Sequence, residues 1–143
     1  MPSTETLIWM ALKRRVEALD LSPPLPVAWP GMVFRPPTDP DTRLVSPFLT
    51  VTNVSAAPRR LALRRAAHDR VGVLTIVHAA VAGWPYEKYL ETAGQIAAWF
   101  PEDLCLPYRG VTVRVSSRPH IVDGYLDGGY WRTPVNIPWR SFA

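Results

Sequence analysis

The chain has 143 residues, 48% hydrophobic and 20% charged, which is enough apolar material for one core and too little charge for a disordered chain. Sixteen Lys and Arg against twelve Asp and Glu leave a formal charge of +4, a mildly basic surface that permits anionic partners without requiring them. A single cysteine, Cys105, excludes an internal disulfide and fits a reducing compartment.

The start, Met1-Pro2-Ser3-Thr4-Glu5, lacks the basic flank and apolar run of a signal peptide, and no stretch approaches the roughly 18 apolar residues of a membrane span. The expectation is a soluble cytosolic product with no membrane partner. A first helix is expected over about 4–20, where Ile8, Ala11, Leu12, Val16 and Leu19 recur at three- and four-residue steps with Lys13, Arg14 and Glu17 off that stripe. Glu5 suits its positive end, and Ser22-Pro23-Pro24 stops it, because proline disfavours helical geometry in the residue before it. The prolines, sixteen in all, are about twice the usual share. A group of them from Pro23 to Pro47 predicts a stiff irregular connector over 22–47.

Strands follow over about 47–54, alternating around Leu49 and Val51, and over 60–64, where Leu61 and Leu63 lie between arginines. Residues 71–81 are apolar on both parities, Val71, Val73 and Val77 on one and Leu74 and Ile76 on the other. That predicts a central strand covered by helices on most of both faces. A second helix is expected over about 85–100, with Pro85 at its first position, Glu87 in its first turn, and a stripe of Tyr86, Leu90, Ala93, Ile96, Ala97 and Phe100 ended by Pro101.

Val111, Val113 and Val115 alternate with polar residues, predicting a strand over about 111–117 with one wet face. A turn at Asp123-Gly124 or at Asp127-Gly128-Gly129 leads into a last strand over 129–140, with Trp131, Thr133, Val135, Ile137 and Trp139 on one parity. Pro134 and Pro138 share the other parity, so both missing N–H groups face the same side. That predicts an edge strand closed to pairing by another chain. The whole is an α+β single domain, a mainly antiparallel sheet with two amphipathic helices packed on it.

None of His68, His78, His120, Cys105, Asp39/Asp41 or Asp123/Asp127 has zinc-ligand spacing. His120, Asp123 and Asp127 are the candidates for a shared cation, but Asp-Gly and Asp-Gly-Gly are also what turns with positive φ need, and the turn is the favoured reading. His78 reads as a partnered core or interface side chain on the Leu74 and Ile76 parity rather than as a base. Phosphate loops, nucleophile elbows and dinucleotide fingerprints are absent from the sequence. No catalytic, cofactor-binding or metal residue is expected, and the chain is not read as an enzyme.

The strongest electrostatic feature is Arg59, Arg60, Arg64, Arg65 and Arg70. It fits either phosphate contact or a solvated, salt-bridging face, and the second is favoured because Arg60 and Arg64 fall opposite Leu61 and Leu63. Trp99 shares a helix face with Lys88, Thr92 and Gln95, away from the apolar stripe. Either the segment Pro101 to Pro107 folds back over it or it meets another chain. Trp9 poses the same question on the first helix. Tyr125 and Leu126, at an expected turn tip, are a third candidate contact, or else pack onto the sheet end.

The ordered segments "PVAWPGMVFRPP", "PFLTVTNV", "RVGVLTIVHAAVAG", "AGQIAAWFP", "GVTVRV" and "DGGYWRTPVNIPWRSF" together resemble the phage tail terminator-like family of tailed phages, prophages and gene transfer agents, over nearly the whole chain. The proline-rich Met32 to Pro47 segment departs from the simple pattern. The resemblance implies a virion structural protein of long non-contractile tails, with two helices packed on a sheet and no cofactor. It further implies a ring, typically a hexamer, at the head-proximal end of the tail tube, assembled in the bacterial host cytoplasm. Such a ring ends tube growth and presents a surface for head joining, and its partners are its own copies, the tail tube protein and a head-tail neck protein. Genomic DNA passes through the lumen without sequence-specific contact.

A closed ring needs two different patches on each chain. The candidates are the arginine cluster against Glu87 and Glu91, with Trp9 or Trp99 as buried anchors and Tyr125 and Leu126 as a further contact. The alternatives are a head-side neck connector, a small basic nucleic-acid-binding module using Arg59 to Arg70, and, third, a metal-dependent enzyme.

Overall fold

In a computed structural model of the chain, the residues described are 3–21, 24–38, 41, 46–56, 59–60 and 68–142. Helix α1 spans Thr4–Glu17, with Ser3 as its N-cap accepting the Thr6 N–H at 3.2 Å. Glu5 in its first turn and Arg14 and Arg15 in its last suit the helix dipole. It ends earlier than the proline signal suggested, because Ala18 N–H caps Arg14 O and Leu19 N–H turns tightly onto Val16 O. Ile8, Ala11, Leu12 and Val16 are buried.

The connector is not wholly irregular. Val27–Ala28 form β1, which pairs in parallel with β2, Phe48–Ser55. Pro26 contributes its carbonyl to the Leu49 N–H at 2.9 Å, and the prolines on either side keep β1 to two residues. Next come β3, Arg59–Arg60, and β4, His68–Val81. Beyond Arg60, the rest of the expected 60–64 strand lies outside the described residues.

Helix α2, Tyr86–Ala98, is followed by β5 (Cys105–Tyr108), β6 (Val111–Val115), β7 (His120–Ile121), β8 (Tyr125–Asp127) and β9 (Tyr130–Phe142). The main path of the sheet runs β1-β2-β4-β9-β6-β5, with β3 pairing β4 and with β7 and β8 pairing β9. Except for the β1–β2 pair, the described pairings are antiparallel.

Strand β9 is central, not an edge. It pairs with β4 from Asp69↔Phe142 to Val81↔Tyr130 on one side, and with β6, β7 and β8 on the other. Pro134 and Pro138 do face one side together, as their parity requires. Their carbonyls accept from Val122 N–H and Ser116 N–H at 2.9 and 3.0 Å. Pairing on that side comes in short pieces, and each proline falls at the end of one, where its carbonyl is used and the missing N–H breaks no continuous ladder.

Both helices lie on one face of the sheet, contrary to the expectation that β4 is covered on both. Register-paired Leu49, Val51, Leu74, Ile76, Val135, Ile137 and Trp139 share one core with the inner faces of α1 and α2. On the opposite face Val71, Val73, Thr75 and Val77 are only half-buried; their cross-strand neighbours, including Pro134 and Pro138, supply the shielding that their sequence pattern implied a helix would give.

The buried face of α2 is also rotated. Tyr89, Ala93, Ile96 and Phe100 point inward, while Tyr86 and Leu90 are exposed. Tyr89 is drawn in because its hydroxyl donates to Val81 O at 2.7 Å and accepts Trp84 N–H at 3.1 Å, with its ring stacked on Trp84. Pro85 is the N-cap, with φ −58° and ψ 142°, rather than the first helical residue.

Candidate interaction surfaces

The expected contact residues divide into those used inside the subunit and those left outside it. Trp99 is half-buried, and α1 covers one face of it. The Arg15 guanidinium lies 3.9 Å from its ring centroid and donates through Nε and Nη2 to the Trp99 carbonyl, at 3.0 and 2.6 Å. In return the indole N–H donates to the Arg15 carbonyl at 2.9 Å. Trp9 is half-buried edge-on against Trp29, at 6.1 Å, and packs on the core.

Of the arginine cluster, Arg59 and Arg60 are placed by their backbone as β3, opposite Asp69 and His68. Arg64 and Arg65 lie outside the described residues. Arg70 points toward α1, with Nη2 3.3 Å from Glu5. Elsewhere, arginines are matched by carboxylates: Arg140 holds the buried Asp69 through two bonds of 2.8 and 2.6 Å, Arg114 pairs with Asp103, and Arg132 with Asp127.

A different pair of arginines is open. Arg14 on α1 and Arg109 in the β5–β6 turn each place their guanidinium carbon over the Tyr108 ring, 5.6 and 5.5 Å from its centroid. They flank a cleft of about 430 Å³ that Pro107, Gly110 and Thr112 also line. No carboxylate of the described residues pairs with either. Sequence reading missed this site because Pro107 hid β5; the usable signal was Arg109-Gly110, a two-residue turn with φ +44° and +88°.

On α2, Glu87 and Glu91 are exposed, and neither pairs with a described cation. Tyr125 and Leu126 are in β8, opposite Arg132 and Trp131, and stay largely exposed. The turn is the following Gly128-Gly129, with φ +59° and +83°. It is the second of the two turn sites expected.

His78 is buried on the helix-facing side of β4, and its Nδ1 makes no hydrogen bond with the described residues. Its neighbour is the Trp84 ring at 6.1 Å. Burial pushes its pKa down to about 4, leaving a neutral ring at neutral pH. It lines a 320 Å³ hollow with Leu21, Leu25, Trp84 and Lys88. Among the described residues no cluster of His, Cys, Asp and Glu can hold a metal ion, and no helix is long and apolar enough to cross a membrane.

A family model described as phage tail terminator protein matches residues 7–139. The chain belongs to the phage tail terminator family. Membership makes this terminator-family chain a structural protein of phage tails, located in the virion tail and interacting with other tail and head proteins. A protein of known structure superposes on it with a TM-score of 0.74 at 21% identity, covering 98% of this chain and 96% of the other; at that identity the likeness speaks to fold. No curated protein matches it.

Proposed function

We propose that this terminator-family protein forms a ring, a hexamer by family resemblance, on the head-proximal end of a long phage or gene-transfer-agent tail tube. The observation that carries the reading is the terminator family match across nearly the whole chain. The ring binds the last tube ring in place of another tube subunit and turns a non-matching face upward, so the next tube subunit meets no complementary surface. That upward face receives the neck protein, and the genome crosses the lumen without a sequence-reading element. Mutually different patches on one chain, one cationic and one acidic and apolar, support a head-to-tail closure.

Deleting the gene from its particle-producing locus and measuring tail lengths by electron microscopy tests this. Overlong, headless tubes are expected. Tails of normal length beside DNA-filled heads would assign the protein to the head-side neck, and fully normal particles would overturn both readings.

A further inference from the structure

Arg14 and Arg109 present two cationic groups around one aromatic ring, and the described residues offer them no counter-charge. The same chain carries the complement elsewhere. On α2, Glu87 and Glu91 stand one turn apart, about 6 Å along the axis, and interleave with Tyr86 and Leu90, 53% and 37% exposed. Among the described residues, Glu91 has a single polar contact, accepting from Gln95 Nε2 at 3.5 Å.

The two patches belong to different parts of the fold. The cleft lies where α1 meets the β5–β6 hairpin, at the β5 edge of the sheet. The first turns of α2 follow the end of β4 at Val81, where Tyr89 reaches Trp131 of β9.

We propose that the Arg14–Tyr108–Arg109 cleft receives the Tyr86–Glu91 face of α2 from a second copy of this chain. The proposal rests on the ring reading above and names its contact. Glu87 and Glu91 reach the two guanidiniums while Tyr86 and Leu90 cover the Tyr108 ring, so charge pairing coincides with apolar burial. Because the two patches lie on different parts of the fold, joining one cleft to one α2 face leaves a cleft and an α2 face open on the pair, so the contact repeats head to tail. A bare phosphate would satisfy the arginines but leave Tyr86 and Leu90 exposed.

The test is charge reversal in the full chain, read by sedimentation and by tail length in particles. Arg14→Glu with Arg109→Glu, and separately Glu87→Arg with Glu91→Arg, should each weaken self-association roughly tenfold or more and give overlong tubes. The chain carrying all four reversals should recover both readouts. Double reversals that leave both readouts unchanged overturn the contact. A loss that the fourfold variant does not recover also overturns it, and salt-sensitive DNA retention abolished only by the arginine reversals assigns the cleft to nucleic acid instead. Failure of the ring reading is separable: gene deletion then leaves particles normal, while sedimentation of the reversed chains still decides the contact.

Discussion

His78 and Gly72 show what single positions on β4 cost and control. In the unfolded chain His78 titrates near 6.5, and in the folded one near 4. Between those values the unfolded chain binds a proton that the folded chain refuses, so the contribution is fully present above about pH 6.5 and is lost as pH falls toward 4. The loss should total roughly 3 kcal/mol at 1.36 kcal/mol per pKa unit. Urea unfolding across that range measures it, and His78→Gln should remove this part of the slope. At Gly72 a Cβ would stand 2.5 Å from Trp139 Cζ2 and 2.6 Å from the Val54 carbonyl. The Trp139 ring crosses that gap to donate its N–H to Asn53 Oδ1 on β2 at 2.8 Å. Because the carbonyl is backbone and cannot swing away, Gly72→Ala should cost about 1–3 kcal/mol, read as a lower midpoint in denaturant. The glycine was visible in the sequence; the tryptophan lying over it was not, because only the β4–β9 register brings them together.

Among the elements, α1 and α2 are joined at their C-terminal ends by the reciprocal Arg15 and Trp99 bonds. Trp99→Ala should destabilise the fold by about 2–4 kcal/mol, somewhat less than the roughly 3–5 kcal/mol of a fully buried large aromatic because the ring is half-buried. Faster amide exchange at the end of α1 would locate the effect there, and an unchanged melting temperature would refute it. Arg15→Lys should recover only part of the stability, since an ammonium cannot donate in the same planar fork while stacking on the indole. The helices themselves were legible from their apolar spacing. The buried side of α2 was not fully legible, because the Tyr89 hydroxyl finds its acceptor at Val81, outside the helix. For β9 the proline parity correctly placed both missing donors on one side. It could not reveal that short strands meet that side in pieces.

At the scale of the whole molecule, a one-sided helix layer gives the sheet a core face and an open one, and matched ion pairs neutralise several of the arginines. The sixteen basic residues therefore overstate the free cationic surface, although pairing leaves the net charge at +4. Self-association through Arg14 and Arg109 should weaken as salt rises and as the protein is diluted, because exposed charges are screened over roughly 8–10 Å at physiological ionic strength. Sedimentation at low and high salt measures this; association that strengthens with salt would point to an apolar contact in place of the charged one.

The sequence by itself determined what depends on neighbours along the chain. Apolar periodicity marked both helices, parity marked the core sides of β2, β6 and β9, Gly128-Gly129 marked one of two offered turns, and the ordered motifs carried the terminator family resemblance. The tertiary structure decided what depends on residues brought together from far apart: that both helices take one face, that β9 is interior, that Trp99 answers to Arg15, and that Arg14 and Arg109 meet over Tyr108. The physical reason is that periodicity reports which side of an element is apolar, whereas partners for charges and for backbone donors are fixed only when strand register and helix packing set them within bonding distance.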